Sequence, residues 1–195
     1  LLVDNEDTLS HYFANTNRLI AVHSEDETIL KRNYSQANQS LNPRDHYKIR
    51  SVEAALTCTE RLVRLAIKYK TRLHICHLTS KEELEFLIPV MKKHANITTE
   101  VTPQHLFTFG PDLYDEWGTY AQINPPIRTQ DHAIALQKGL LDNHIHLVCT
   151  DHAPHTKEEK DKPFGQAPSG MPGVETSLPL LLDKVNQGWC TLQDV

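Results

Sequence analysis

Five short apolar runs in this chain each deliver a polar side chain of a metal-binding or proton-handling kind at or near their carboxyl end. Residues 18–23 (RLIAVH) end on His23 and 72–77 (RLHICH) on His77. Residues 96–101 (NITTEV) carry Glu100, 120–124 end on Asn124, and 145–150 (IHLVCT) lead into Asp151. Between them lie stretches with helical spacing: 26–39, 51–70, a segment opened by Ser80 and Glu83 in capping-box positions, 130–143 and 176–186. Strands alternating with helices predict βαβ units and a parallel sheet. An open doubly wound sheet gathers its functional groups at one switch point. A (β/α)8 barrel lines one mouth with the ends of many strands, which is the pattern seen. The expected fold class is therefore α/β, a TIM-type barrel. About five of its eight units would lie within a single partial domain spanning 1–195.

The composition agrees with a globular chain and narrows its partners. With 195 residues, 39% apolar and 23% charged, the chain can bury a core, and collagen-like, disordered and coiled-coil classes drop out. A net charge of −5 advertises no face for nucleic acid. No apolar run approaches the roughly 20 residues of a membrane span, and no signal-peptide pattern opens the chain, so a cytoplasmic protein is expected. The cysteines at 58, 76, 149 and 190 form no CxxC pair and read as free thiols. The chain starts Leu-Leu rather than Met, which suggests that the natural start lies elsewhere.

The candidate chemistry sits at the strand ends. His23 is followed by Glu25, Asp26 and Glu27; it is either a strand-end histidine before an acidic helix start, or a metal ligand oriented by a neighbouring carboxylate. In strand geometry His77 shares a face with Ile75 and Leu73, and His74 and Cys76 take the other. A structural zinc on His74, His77 and Cys76 is disfavoured, because the two histidines point opposite ways in a strand and no second Cys/His pair follows at zinc spacing. Asp151, in DHAPH, is a partly desolvated carboxylate that either caps a turn or meets a metal and takes protons. Asn124, Arg128 and the glycine-bearing loop 167–173 are candidate polar hooks, with an Asx-turn or a plain surface loop as alternatives. The histidines at 11, 46, 94, 105, 132, 144 and 146 read as surface or supporting groups.

The segments AVHSEDE, HICHLTS, TTEVTPQHL, INPPIRT, CTDHAPHTKEEK and APSGMPGVETSLPLLL occur in that order and span nearly the whole chain. Together they resemble the dihydroorotases of the amidohydrolase superfamily, in the class that includes multidomain and Gram-positive enzymes. The resemblance implies a barrel with two zinc ions. It also implies the reversible cyclisation of N-carbamoyl-L-aspartate to L-dihydroorotate in de novo pyrimidine (UMP) synthesis. It casts His23 and His77 as ligands of one zinc, and Asp151 as ligand of the other and catalytic acid/base. Asn124, His155, Ser169 and Gly170 become substrate contacts. Cys76 and Glu100 match positions that hold a further metal in some members.

Two family features are missing between residues 1 and 195. The His-x-His-x-Arg motif of the first strand does not occur, nor does the bridging ligand, a carboxylated Lys or an Asp. The resemblance places both upstream, implies a C-terminal segment beyond Val195, and makes these 195 residues alone inactive. A homo-oligomer is expected, with aspartate transcarbamoylase as a possible further partner. The competing readings are an allantoinase, a dihydropyrimidinase or hydantoinase, and an inactive dihydroorotase-like scaffold subunit.

Overall fold

A computed structural model describes residues 3–37 and 41–195. It opens with helix α1 (Glu6–Asn15), whose N-cap is Asn5, and strand β1 (Leu19–Val22). Helix α2 (Glu27–Gln36) follows, capped by Asp26, and the expected continuation to residues 38–39 lies outside the described residues. A helical turn α3 (His46–Ile49) and the long helix α4 (Val52–Tyr69) lead to strand β2 (Arg72–Ile75). Helix α5 (Lys81–Met91), strand β3 (Ile97–Val101), the short helices α6 (Pro103–Phe107) and α7 (Asp112–Trp117), and helix α8 (Gln130–Leu141) come next. Strand β4 (Leu147–Val148), helix α9 (Lys157–Lys160) and helix α10 (Val174–Asn186) complete the series.

The four strands form one sheet in the order β1-β2-β3-β4, every pair parallel. The register aligns Ile20 with Leu73 and Leu73 with Ile97; two residues on, Val22 aligns with Ile75 and Ile75 with Thr99. Strand alternation therefore sends Leu73, Ile75, Ile97 and Val101 to one face, where they pack with Phe13, Leu62, Ala66, Leu87, Leu106 and Leu136 from the flanking helices. The opposite face takes Ala21, His74, Thr98, Cys76 and Glu100, and His74 Nδ1 pairs there with the Thr98 hydroxyl at 2.8 Å. One face makes the helix-covered core, and the other is polar.

The structure corrects several sequence expectations. Residues 120–124 do not form a strand. Gly118–Ala121 is a 3-10 helix and the chain then runs extended into a cis Asn124–Pro125 bond, so four strands are present among the described residues rather than five. Pro125 and Pro126 follow directly and donate no amide, so no ladder can run on past Asn124. The Ser80/Glu83 pair forms half of the predicted box: Ser80 Oγ accepts from the Glu83 amide, while its hydroxyl donates to the Glu83 carboxylate. That carboxylate is buried and also accepts from the Thr59 hydroxyl. The loop expected over 152–172 contains α9, started by a complete capping box at Thr156 and Glu159. The four cysteines are all free, as expected.

Leu19 on β1 and Leu147 on β4 are exposed at the two outer strands. Along the outer edge of β4 runs a cavity of about 490 Å³, lined by Leu147 and Cys149 with Leu178 and Trp189 opposite. No helix among the described residues is long and apolar enough to cross a membrane.

Candidate active site

The carboxyl ends of the strands bring the predicted residues to one side of the sheet. His23 directly follows β1. His77 stands two residues past β2 with φ of +36°, and Asp151 three past β4 with φ of +43°. Positive φ in a non-glycine residue costs on the order of 1–3 kcal/mol, and such strain gathers at functional sites. It also corrects the predicted facing of His77. The left-handed turn breaks the strand alternation, so His77 leaves the side shared by Leu73 and Ile75 and meets His23.

His23 Nδ1 and His77 Nε2 lie 3.2 Å apart, and the rings meet edge to face with centroids 4.9 Å apart. His23 is fixed from behind: its Nε2 is 2.7 Å from Glu25 Oε2, and Arg50 Nε reaches that same oxygen at 3.0 Å. Burial tends to raise the Glu25 pKa, but the hydrogen bond from His23 and the charge of Arg50 outweigh it and hold the carboxyl at about 2. Glu25 is thus an anion at neutral pH, and the carboxylate beside His23 orients it as expected. Arg50 is held in turn: its carbonyl accepts from Arg128 Nη1 at 3.0 Å, and Arg128 Nε donates to Thr79. Arg128, predicted to complete the substrate site, is instead buried behind it as a brace.

The donor set suits a metal ion. Two nitrogens bound to one tetrahedral zinc at about 2.0–2.1 Å would lie roughly 3.3 Å apart, close to the observed separation. His77 Nδ1 is buried without a hydrogen-bond partner, and burial followed by the facing His23 charge lowers the His77 pKa, favouring the neutral imidazole that metals take. Asp151 is exposed here, so the desolvation inferred from its apolar strand is not observed; β4 has no neighbour on its outer side among the described residues.

A second group gathers on the inner face of the sheet. One ligand atom each from His74, Cys76 and Glu100 fall within 4.8 Å of one another, with His74 Nε2 3.1 Å from Glu100 Oε2. Burial, then the Glu100 charge, push the Cys76 thiol up to about 11. Sequence spacing sets His74 aside with Cys76, because no zinc-finger pair follows. Glu100, on the neighbouring strand, supplies the third group, which only the register reveals.

The expected substrate contacts surround loop 122–128 and loop 167–173. Asn124 Oδ1 is buried and unpartnered. Gln122 Nε2 donates to Ser169 Oγ at 3.1 Å, and the Gly170 amide donates to the Gln122 carbonyl at 2.9 Å. Gly170 has φ of +153°, and a Cβ there would lie 2.5 Å from the Ala153 carbonyl oxygen and 2.9 Å from His155 Nε2, so glycine is required. His155 itself is exposed, with Nδ1 3.5 Å from Glu159. Two histidines read as supporting groups prove to be deeply buried donors. His46 Nε2 meets the Ile123 carbonyl at 2.7 Å and His105 Nε2 the Pro125 carbonyl at 3.0 Å. Burial lowers both pKa values, to about 4 and about 3, so both rings are neutral.

No protein-family model matches the chain. Curated relatives do. A dihydroorotase from Methanosphaera stadtmanae is 36% identical over 195 residues, covering 97% of this chain and 44% of that protein. One from Halobacterium salinarum is 37% identical over 87% of the chain, and one from Lactococcus lactis subsp. lactis 45% identical over 66%. The chain belongs to the dihydroorotase family. It spans less than half the length of these relatives. Among solved structures, L-hydantoinase (dihydropyrimidinase) from Arthrobacter aurescens superposes with a TM-score of 0.91 at 26% identity, over 97% of this chain and 44% of that one. Dihydropyrimidinase from Brevibacillus agri gives 0.86 at 23% identity. These neighbours are TIM-barrel amidohydrolases, so the four βα units of this dihydroorotase-family chain form part of such a barrel.

Proposed function

We propose that this chain supplies the carboxyl-terminal part of a zinc-dependent dihydroorotase active site, within a single partial barrel domain over 1–195. The enzyme interconverts N-carbamoyl-L-aspartate and L-dihydroorotate in pyrimidine (UMP) biosynthesis. The observation that carries the reading is the convergence of His23 Nδ1 and His77 Nε2 at 3.2 Å, with Glu25 fixing the first ring. The relatives at 36–45% identity favour dihydroorotate as substrate over the hydantoins named for the solved neighbours at 20–26%.

In this reading His23 and His77 hold one zinc and Asp151 the other, with the bridging ligand contributed by sequence outside these residues. Zinc supplies polarisation of a carbonyl and easier ionisation of water. The remaining steps belong to the protein. Asp151 accepts the proton of the attacking water and passes it to the departing ring nitrogen, and the cyclisation direction reverses these transfers. Asn124, with its buried and unpartnered Oδ1, offers an acceptor to a substrate N–H. His155 and the Ser169 backbone offer donors to the substrate carboxylate, and Gly170, whose own amide is given to the Gln122 carbonyl, keeps that loop close to His155. Cys76 and Glu100, joined by His74, form the candidate further metal site. A cytoplasmic homo-oligomer, with aspartate transcarbamoylase as companion, completes the proposal.

The full-length polypeptide is expected to open the dihydroorotate ring at least about tenfold more efficiently in kcat/KM than it opens hydantoin, dihydrouracil or allantoin, a margin of roughly 1.4 kcal/mol. Preferential turnover of any of the other three would transfer the assignment to that activity. Glu25→Gln is expected to weaken zinc binding by about 10–100-fold, because it removes the anion that orients His23. Competition with a chromophoric chelator measures this, and unchanged affinity would deny Glu25 that role.

A further inference from the structure

Lys160 is the last residue of α9 and is buried. Its ammonium makes no ion pair among the described residues. It donates instead to three backbone carbonyls: Pro168 at 2.9 Å, Gly170 at 3.1 Å and Gln122 at 3.2 Å. Burial lowers its pKa to about 8, and a cation in such a place is retained only when its donors are satisfied. The three acceptors are not neighbours in sequence. Gln122 precedes Asn124, whereas Pro168 and Gly170 flank Ser169. The Gly170 amide closes the remaining gap by donating to the same Gln122 carbonyl at 2.9 Å. The Lys160 carbonyl in turn accepts from the Thr119 hydroxyl, so α9 is tied to the first of these segments through its backbone as well.

Three other carbonyls of 122–128 are held by side chains from elsewhere. His46 takes Ile123, His105 takes Pro125, and Tyr114 Oη donates to Ile127 at 2.8 Å. Each of these donors fixes one point of one segment. Of these donors the Lys160 ammonium reaches both segments, beside the Gln122 side chain, which donates to the Ala167 carbonyl at 3.3 Å and to Ser169 Oγ at 3.1 Å.

We propose that Lys160 is a positioning residue that locks segment 119–125 to segment 167–172, so that Asn124 and Ser169 face the substrate as one rigid rim. The proposal deepens the substrate reading above and rests on it for the identity of the ligand, while the locking itself does not. Lys160 touches no reacting atom; it acts through the carbonyls that it gathers. Its sequence setting, KEEKDK, is that of an ordinary solvated charge run.

The test is Lys160→Met in the full-length polypeptide, followed by amide hydrogen exchange and steady-state kinetics. Exchange is expected to quicken by about tenfold or more in both 119–125 and 167–172, with the core strands unchanged. KM for dihydroorotate is expected to rise by about tenfold or more with kcat within about threefold, the pattern of lost binding rather than lost chemistry. Lys160→Gln keeps two donors and is expected to recover part of both effects; it also carries the test if the Met variant does not fold. Quickened exchange confined to 156–162, or a lowered melting temperature with KM unchanged, would overturn the proposal and leave Lys160 a stabilising residue only. If the parent protein turns over no dihydroorotate while both segments loosen together in the variant, the substrate reading fails and the lock stands.

Discussion

Asp151→Asn in the full-length polypeptide should lower kcat for dihydroorotate by at least about 10²–10⁴-fold, the range that a positioned acid/base contributes. The substitution removes a carboxylate that serves both as base and as zinc ligand, so zinc content is measured beside the rate to separate the two. Asp151 has φ of +43°, a region that Asn tolerates better than other residues that carry a Cβ. Alanine there would confound lost chemistry with backbone strain, whereas asparagine keeps the turn, the volume and one carbonyl oxygen as acceptor. Steady-state rates, paired with thermal melting, check the outcome. The account requires a collapsed rate with a melting temperature within a few degrees of the parent, about the shift that 1 kcal/mol produces in a domain of this size. A rate within about tenfold of the parent would remove Asp151 from the chemistry.

His77→Asn should abolish activity by a different route. His77 Nε2 is one of the two nitrogens that converge at 3.2 Å, and its φ of +36° again makes Asn the replacement that spares the backbone. Loss of that nitrogen leaves His23 to hold its zinc without the second imidazole. Elemental analysis is expected to find about one zinc fewer per polypeptide, since a catalytic zinc keeps a position open for water and has few protein ligands to spare. Catalysis should fall to background in parallel. Full zinc content with full activity would mean that the two histidines pair only with each other.

Much of this arrangement is legible from residue order. The apolar runs and helical spacings locate β1, β2, β3 and β4 and the main helices, because burial on one face of a parallel sheet leaves a strong pattern. His23, His77 and Asp151 stand out because they end such runs. The rim is harder to read. Residues 120–124 carry a strand-like pattern, yet adjoining prolines and a cis bond give a braced extended segment. Its braces, His46, His105, Tyr114 and Lys160, stand 13 to 77 residues away from the carbonyls of 122–127 that they hold, too far for any local pattern to register. Strand alternation puts His77 on the wrong face because alternation ends with the strand, and a single left-handed residue turns its side chain toward His23. Arg128 looks like a substrate group because it lies just past Asn-Pro-Pro. Burial and its bonds to Thr79 and the Arg50 carbonyl make it a structural brace instead.

The central claim is that the strand-end cluster works as a zinc-dependent site for dihydroorotate. The most direct measurement tracks ring opening of dihydroorotate by the full-length polypeptide before chelation, after chelation, and after zinc is restored. The account predicts turnover that is lost with the metal and returns with it. Undiminished turnover by the metal-stripped protein, or none by the zinc-loaded protein, would contradict it.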